Sequence, residues 1–242
     1  MPSTPYDPTT PYDPTLEPPL SYTLPRANEV YGEAFKRVFE YIHGARIKGY
    51  ILEFGTFKGY TARLTATLMK EFDYKDKLYL YDSFEGLPKA YDPIDINSYE
   101  IAVNQVWKYG SMKPHEGIEL LIEKALIEII DKSQLRIVKG FFEETLQHSL
   151  PSEGKASLVH LDCDLYSSTK CIMDQLLDKN LLQDGCVIMF DDFNCNRSSP
   201  KMGQRRVLAE TLCSEKCPFT YSDFFSYGWH GKAVFVHEKT WN

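Results

Sequence analysis

Short apolar runs alternate with segments of helical periodicity along most of the chain. The apolar runs predict strands at residues 50–54, 78–81, 135–139, 157–161 and 186–190. Apolar positions spaced three and four residues apart predict helices at residues 28–43, 60–72, 117–131, 168–182 and 204–214. Strands that alternate with helices form βαβ units, so the pattern predicts an α/β fold with a mainly parallel twisted sheet. The first strands are solidly apolar, which indicates that helices cover both faces of the sheet.

The two ends of the chain depart from this alternation. Residues 219–225 and 232–237 look like a closing pair of strands, which predicts one antiparallel edge strand. At the other end, residues 1–27 form a proline-rich arm in which the hexapeptide TPYDPT occurs twice. Because proline fixes φ and lacks a backbone donor, we expect this arm to be extended or turn-rich and dispensable for folding. The remaining residues, 28–242, have the length of a single α/β domain.

Charge and cysteine usage limit the partners and the compartment. Acidic residues outnumber basic ones by 34 to 27, and the resulting net charge of −7 argues against nucleic acid and anionic membranes as partners. No apolar run reaches the ~20 residues of a membrane helix, and the first residues lack the features of a signal peptide. Several of the six cysteines lie inside apolar patterns, which predicts reduced thiols. We expect a cytoplasmic protein that acts on a small-molecule or glycan acceptor; homo-oligomerisation stays open.

Two segments point to a nucleoside cofactor. The first strand leads through Glu53 into Gly55-Thr56-Phe57 and then into a helix, and a glycine in that turn lets a ligand approach the backbone closely. The segment lacks the G-x-G-x-x-G pattern of dinucleotide-binding folds. Asp82, followed by Ser83, ends the second strand, where an acid can accept hydrogen bonds from both ribose hydroxyls. Either feature alone also fits an ordinary turn or a solvated acid.

Two acidic clusters follow two successive strands. Asp162 and Asp164 end one strand, and Asp191 and Asp192 end the next, about one βαβ crossover later. If the strands are neighbours, their ends lie roughly 5 Å apart, and carboxylates that close need a cation or a proton between them. Oxygen ligands of this kind suit Mg²⁺, with Ca²⁺ or Mn²⁺ as alternatives. Separate capping and surface roles for the four acids are the competing interpretation.

The residues at these strand ends resemble those of a known family. DSFEGLP at 82–88, DCDLYSST at 162–169, DDF at 191–193 and GFFEETL at 140–146 are similar to segments of the macrocin O-methyltransferases, which methylate sugars in macrolide and aminocoumarin biosynthesis. The resemblance covers roughly residues 49–237 and implies a Rossmann-like class I methyltransferase. It implies metal ligands at Asp162, Asp191 and Asp192, and a base at Asp164. The implied S-adenosylmethionine contacts are Glu53, Gly55, Thr56, Phe57, Asp82, Ser83, Gly140, Phe141 and Asp162.

The chemistry of hydroxyl methylation agrees with these residue types. An aliphatic hydroxyl is a very weak acid, so a divalent ion that stabilises the developing negative charge and a carboxylate that takes the proton are both useful. His230, in a glycine-flanked turn, is a second acid/base candidate, whereas His160 and His237 read as core or edge residues. Trp107 and Trp229 could stack on a sugar or simply pack. A catechol-type methyltransferase and a metal-dependent glycosyltransferase using the D-x-D motif at 162–164 are the alternatives.

Overall fold

The computed structural model describes residues 27–239, and the predicted N-terminal arm lies outside them except for its last residue. The helices are α1 (Ala27–Gly44), α2 (Tyr60–Glu71), α3 (Pro93–Ile96), α4 (Tyr99–Ala102), α5 (Ile118–Leu126), α6 (Phe142–Ser149), α7 (Tyr166–Asp178) and α8 (Gly203–Glu210). The strands are β1 (Tyr50–Phe54), β2 (Leu78–Asp82), β3 (Leu135–Lys139), β4 (Ala156–Leu161), β5 (Val187–Phe190), β6 (Phe219–Tyr227) and β7 (Gly231–Glu238). The predicted α/β alternation is confirmed.

The seven strands form one sheet with the order β3-β2-β1-β4-β5-β7-β6. Strands β1 to β5 are parallel, and β7 runs antiparallel to both of its neighbours, β5 and β6. The predicted parallel sheet with an antiparallel strand at this side is therefore confirmed, with β7 inserted between β5 and the edge strand β6. The strand order reverses between β1 and β4, and in such sheets ligands bind beyond the carboxyl ends of the strands at the reversal.

Apolar side chains on alternate strand positions build two cores, one on each face of the sheet. On one face Ile51 of β1 packs with Phe35 and Phe39 of α1 and with residues of α2 and α5. On the other face Leu52 and Phe54 of β1 pack with residues of α6, α7 and α8. Within residues 27–239, no helix has both the length and the apolar character that crossing a bilayer would require.

The region between β2 and β3 differs most from its sequence-based prediction. The helix predicted at 117–131 ends at Leu126, and the Asp131 side chain instead accepts a hydrogen bond from the backbone of Ser133, which starts a short 3₁₀ turn. Ahead of α5, the short helices α3 and α4 lie in a segment for which no element was predicted. Asp95 of α3 is buried and accepts hydrogen bonds from the backbone amides of Tyr166 and Ser167. This contact ties the segment to the start of α7, beside the carboxyl end of β4.

Candidate active site

The turn after β1 requires glycine. Gly55 has a φ of 94°, and a β-carbon placed on it would lie 1.6 Å from the backbone oxygen of Asp162. Its amide donates to the carbonyl of Tyr81, while the amide of Asp162 donates to the carbonyl of Phe54. The ends of β1, β2 and β4 are therefore held together with no side chain between them.

Asp82 at the end of β2 organises the next part of the site. Its Oδ2 accepts from the Phe57 amide at 2.7 Å, and its Oδ1 accepts from the Phe84 amide at 2.6 Å. Burial raises the pKa of Asp82, and these two hydrogen bonds oppose the shift. Because a carboxylate offers about four lone-pair sites, Asp82 keeps acceptor capacity for a ligand hydroxyl.

A single cavity of about 650 Å³ opens at the carboxyl ends of the strands. Eleven of the residues predicted to form the site line it: Gly55, Phe57, Asp82, Ser83, Gly140, Phe141, Asp162, Asp164, Asp191, Asp192 and His230. The structure does not place Glu53 and Thr56 on its wall. Both are almost fully buried, at 1% and 2% exposure, and the Glu53 carboxylate lies beside His160. Cofactor contacts from Glu53 and Thr56 stay predictions.

The four aspartates converge as their positions after β4 and β5 predicted. Asp164 adopts a φ of 61°, and its backbone amide donates to Oδ2 of Asp192 at 3.0 Å. Burial, reinforced by the neighbouring carboxylates, raises the pKa values of Asp162 and Asp164 well above their ordinary value and that of Asp192 to about 7. Asp191 differs, because the nearby histidines and the Tyr31 hydroxyl offset its burial and lower its pKa. Such a cluster favours a bound cation.

His160 is buried within β4, as its position within a strand predicted, and it also lies beside this cluster. It pairs in register with Glu53 across β1 and β4, and its Nδ1 lies 3.6 Å from Oε2 of Glu53. Burial alone would lower the pKa of His160, but the carboxylates of Asp191 and Glu53 raise it to about 9. One ligand atom each from His160, Asp162 and Asp191 lies within 4.8 Å of the others. The sequence spacing could have predicted this proximity, because residues two apart along a strand, such as His160 and Asp162, point to the same face.

His230 and Tyr31 both contact Asp191 from outside the parallel part of the sheet. Nδ1 of His230 lies 2.8 Å from the carbonyl oxygen of Asp191, so this nitrogen carries the proton and donates it. In the neutral ring, Nε2 is then the acceptor nitrogen. The hydroxyl of Tyr31, on α1, donates to Oδ2 of Asp191 at 3.0 Å. No sequence pattern singled out Tyr31, because 160 residues separate it from its partner.

The two tryptophans on the cavity wall have different environments. Trp107 is 7% exposed and packs with Leu87 and Leu165, whereas Trp229 is 71% exposed although it lines the cavity. Trp107 therefore packs with these residues and also lines the cavity, and a stacking role for it stays a prediction. Trp229 lies in the β6–β7 turn beside His230 with its ring accessible to a ligand.

The strand order and the position of the cavity define a class I methyltransferase fold. The model of the macrocin-O-methyltransferase (TylF) family matches residues 14–206, which is well over half of the chain. The chain belongs to the macrocin-O-methyltransferase family. The match begins before residue 49, where the resemblance noted in the sequence begins, and so includes α1.

Two curated relatives are similar over part of their length. The 8-demethyl-8-(2,3-dimethoxy-alpha-L-rhamnosyl)-tetracenomycin-C 4'-O-methyltransferase of Streptomyces olivaceus is 25% identical over 151 residues, which cover 61% of this chain and 54% of that protein. The mycinamicin III 3''-O-methyltransferase of Micromonospora griseorubida is 23% identical over 155 residues, which cover 61% and 56%. The chain thus spans about half the length of the curated relatives it matches.

Solved structures agree on the fold. The crystal structure of the calicheamicin methyltransferase CalS11 has a TM-score of 0.72 at 18% identity, covering 88% of this chain and 80% of that one. The structure of the O-methyltransferase NovP has a TM-score of 0.64 at 18% identity, covering 86% and 79%. At these identities the similarity establishes the class I methyltransferase fold and no more.

Proposed function

We propose that this protein transfers the methyl group of S-adenosylmethionine to a hydroxyl group of a sugar or a glycosylated small molecule. The observation that carries the proposal is the single cavity into which the Gly55 turn, Asp82 and the four aspartates all open. The names of both curated relatives describe O-methyltransferases, and one of those names contains a rhamnosyl group. Family membership removes support from the glycosyltransferase alternative.

The cofactor would lie along the β1 and β2 ends of the cavity. Gly55 presents bare backbone there, and the remaining lone pairs of Asp82 would accept hydrogen bonds from the ribose hydroxyls. Ser83, Phe57, Gly140 and Phe141 line the same part of the wall. Phe141 supplies apolar surface suited to the adenine ring.

Asp162, Asp191 and Asp192 would hold a divalent metal, for which Mg²⁺ is the proposed ion. Their arrangement fits a cation, because burial and then the neighbouring carboxylates raise the pKa values of Asp162 and Asp192, and a cation would offset both effects. In addition, Oδ1 of Asp191 is buried without a hydrogen-bond partner among the described residues. His160 is close enough to complete the ligand set. When bound, the metal would stabilise negative charge on a sugar oxygen and orient two adjacent oxygens.

Asp164 is the proposed base, and His230 a second acid/base group. Asp164 would accept the hydroxyl proton as the sugar oxygen forms a bond to the methyl carbon and the carbon–sulfur bond breaks, leaving S-adenosylhomocysteine. Nδ1 of His230 donates a hydrogen bond to the backbone carbonyl oxygen of Asp191, which leaves Nε2 of the neutral ring as a proton acceptor. The walls of the cavity would hold oxygen, carbon and sulfur in line.

An acceptor screen read by mass spectrometry tests the proposal. The protein is incubated with S-adenosylmethionine, Mg²⁺ and either methyl rhamnoside, methyl glucoside or catechol, with Asp164→Asn as the inactive control. A methylated sugar supports the proposal. Methylation of catechol alone would favour the catechol-type alternative, and transfer of a glycosyl group from an added nucleotide sugar would contradict methyltransferase activity as the main function.

A further inference from the structure

The cavity has an acceptor side that is built from elements outside the parallel sheet. Besides the strand ends, its wall includes residues from the start of α1, the segment before α5 and the β6–β7 turn. Trp229 stands out on this wall because 71% of it is exposed beside a deep cavity. A large aromatic ring held open at a cavity mouth is surface suited to an apolar or sugar-like ligand.

The backbone of the turn that carries Trp229 is hydrogen-bonded to the segment that follows β5 and the aspartates. Asn194, two residues after Asp192, donates its side-chain amide to the Trp229 carbonyl at 2.9 Å and its backbone amide to the His230 carbonyl at 2.9 Å. Arg205 fixes the Asn194 side chain by donating to its Oδ1 at 2.6 Å. Together with the His230–Asp191 hydrogen bond, these contacts hold the β6–β7 turn at a set position relative to the carboxylates.

The charge of the cavity distinguishes between two kinds of sugar ligand. Six of the described lining residues are acidic and none is Lys or Arg. Residues 1–26, which lie outside the described part of the chain, contain three acidic side chains and one basic side chain. Lys232 contacts Asp223 and Lys113 contacts Glu85. The lining residues thus offer acidic groups and no Lys or Arg to neutralise a diphosphate, so a diphosphate-linked sugar meets net repulsion.

We infer that Trp229 is the platform on which the sugar ring of an uncharged glycoside lies, and that the site selects such a glycoside over the same sugar linked to a nucleoside diphosphate. The inference rests on the proposed function and specifies its substrate class. The apolar face of the ring contacts the indole, while hydroxyl groups on its edge face Asp164 and the metal-binding carboxylates. Trp229 is thus a specificity-determining residue.

The first test measures steady-state kinetics with methyl rhamnoside and with thymidine-diphosphate-linked rhamnose as acceptors. We expect Trp229→Ala to raise the KM for methyl rhamnoside by about five- to tenfold with little change in kcat, the size of a lost ring-stacking contact. Trp229→Phe should restore most of the affinity. Tyr91→Ala is the matched control, because Tyr91 is 76% exposed and does not line the cavity. The wild type should use the nucleotide-linked sugar at least about tenfold less efficiently, as expected for an unneutralised diphosphate.

The second test measures binding without turnover. Methyl rhamnoside is titrated into the protein bound to S-adenosylhomocysteine, and tryptophan fluorescence should change in the wild type but not in Trp229→Phe. Methylation of the sugar with an unchanged KM in Trp229→Ala overturns the inference and leaves the proposed function standing. Preference for the nucleotide-linked sugar also overturns it. A Trp229-dependent fluorescence change without methyl transfer supports the sugar site and contradicts the proposed function. The absence of both the fluorescence change and methyl transfer contradicts the inference and the proposed function alike.

Discussion

The α-carbon of Gly55 faces the backbone oxygen of Asp162 so closely that a β-carbon would sit 1.6 Å from it. This contact joins the proposed cofactor turn after β1 to the first metal-binding candidate after β4. The two halves of the proposed site therefore share one backbone junction, and a change at that junction should affect both.

Replacing Gly55 by alanine tests this junction. Gly55→Ala should destabilise the protein by roughly 2–6 kcal/mol, because it adds an overpacked contact to a left-handed backbone conformation. Gly32→Ala is the control, since Gly32 lies within α1 and a β-carbon added there would have no neighbouring atom within 4 Å. That control should gain about 0.5–1 kcal/mol from helix propensity. Urea unfolding followed by circular dichroism measures both, and equal stability of the two variants would contradict the junction.

The ribose role of Asp82 can be separated from its structural role. Asp82→Asn should weaken binding of S-adenosylmethionine by roughly 1–3 kcal/mol, the usual effect of removing hydrogen bonds to a charged group. Asp76→Asn is the matched control, because Asp76 also accepts a backbone hydrogen bond, from Gly49, but lies at the opposite end of the sheet. Isothermal titration calorimetry measures the binding, and thermal unfolding checks the fold. Equal cofactor affinity in both variants would remove Asp82 from the cofactor site.

Chelation and two substitutions test the metal and the base. Excess EDTA should abolish methyl transfer, and Mg²⁺ should restore it. Asp191→Asn should lose activity mainly through metal affinity and recover in part at high Mg²⁺; its amide oxygen can still accept from Tyr31.

Asp164→Asn should behave differently, because Asp164 is not among the proposed metal ligands and the hydrogen bond that it donates to Asp192 comes from its backbone amide. We expect turnover to fall by roughly 10²–10⁴-fold with metal affinity nearly unchanged, as for loss of a general base. Cofactor affinity should survive in both variants. Full activity in excess chelator would rule out the metal, and metal-dependent recovery of Asp164→Asn would make Asp164 a ligand instead of the base.

The cysteines provide a test of burial. Cys213 is the exposed thiol, whereas Cys163, Cys186 and Cys217 are buried and burial raises the pKa values of Cys163 and Cys186. Because thiolates are the reactive form, Cys213 should be the thiol that reacts fastest with Ellman's reagent in the native protein. The rapid phase should disappear in Cys213→Ser. Rapid modification that persists in this variant would show that one of the less exposed thiols reacts as fast as Cys213.

The strand-end chemistry was predictable because it depends on local pattern. A strand, a glycine and a helix predicted the Gly55 turn, and Asp82, Asp162 and Asp191 each follow directly after an apolar run. In a parallel sheet, the carboxyl ends of neighbouring strands meet at one edge, so these positions alone predicted that the side chains share a cavity.

Contacts across strands and between distant segments could be decided only by the tertiary structure. The β1–β4 register pairs Glu53 with His160 on one face of the sheet, and the fold brings His160 next to Asp162 and Asp191. Sequence spacing defines which residues share a face of one strand, but the register between strands depends on the packing of the whole sheet. In the same way, only the folded chain buries Trp107, exposes Trp229 and joins Tyr31 to Asp191, since each outcome depends on residues far away in the sequence.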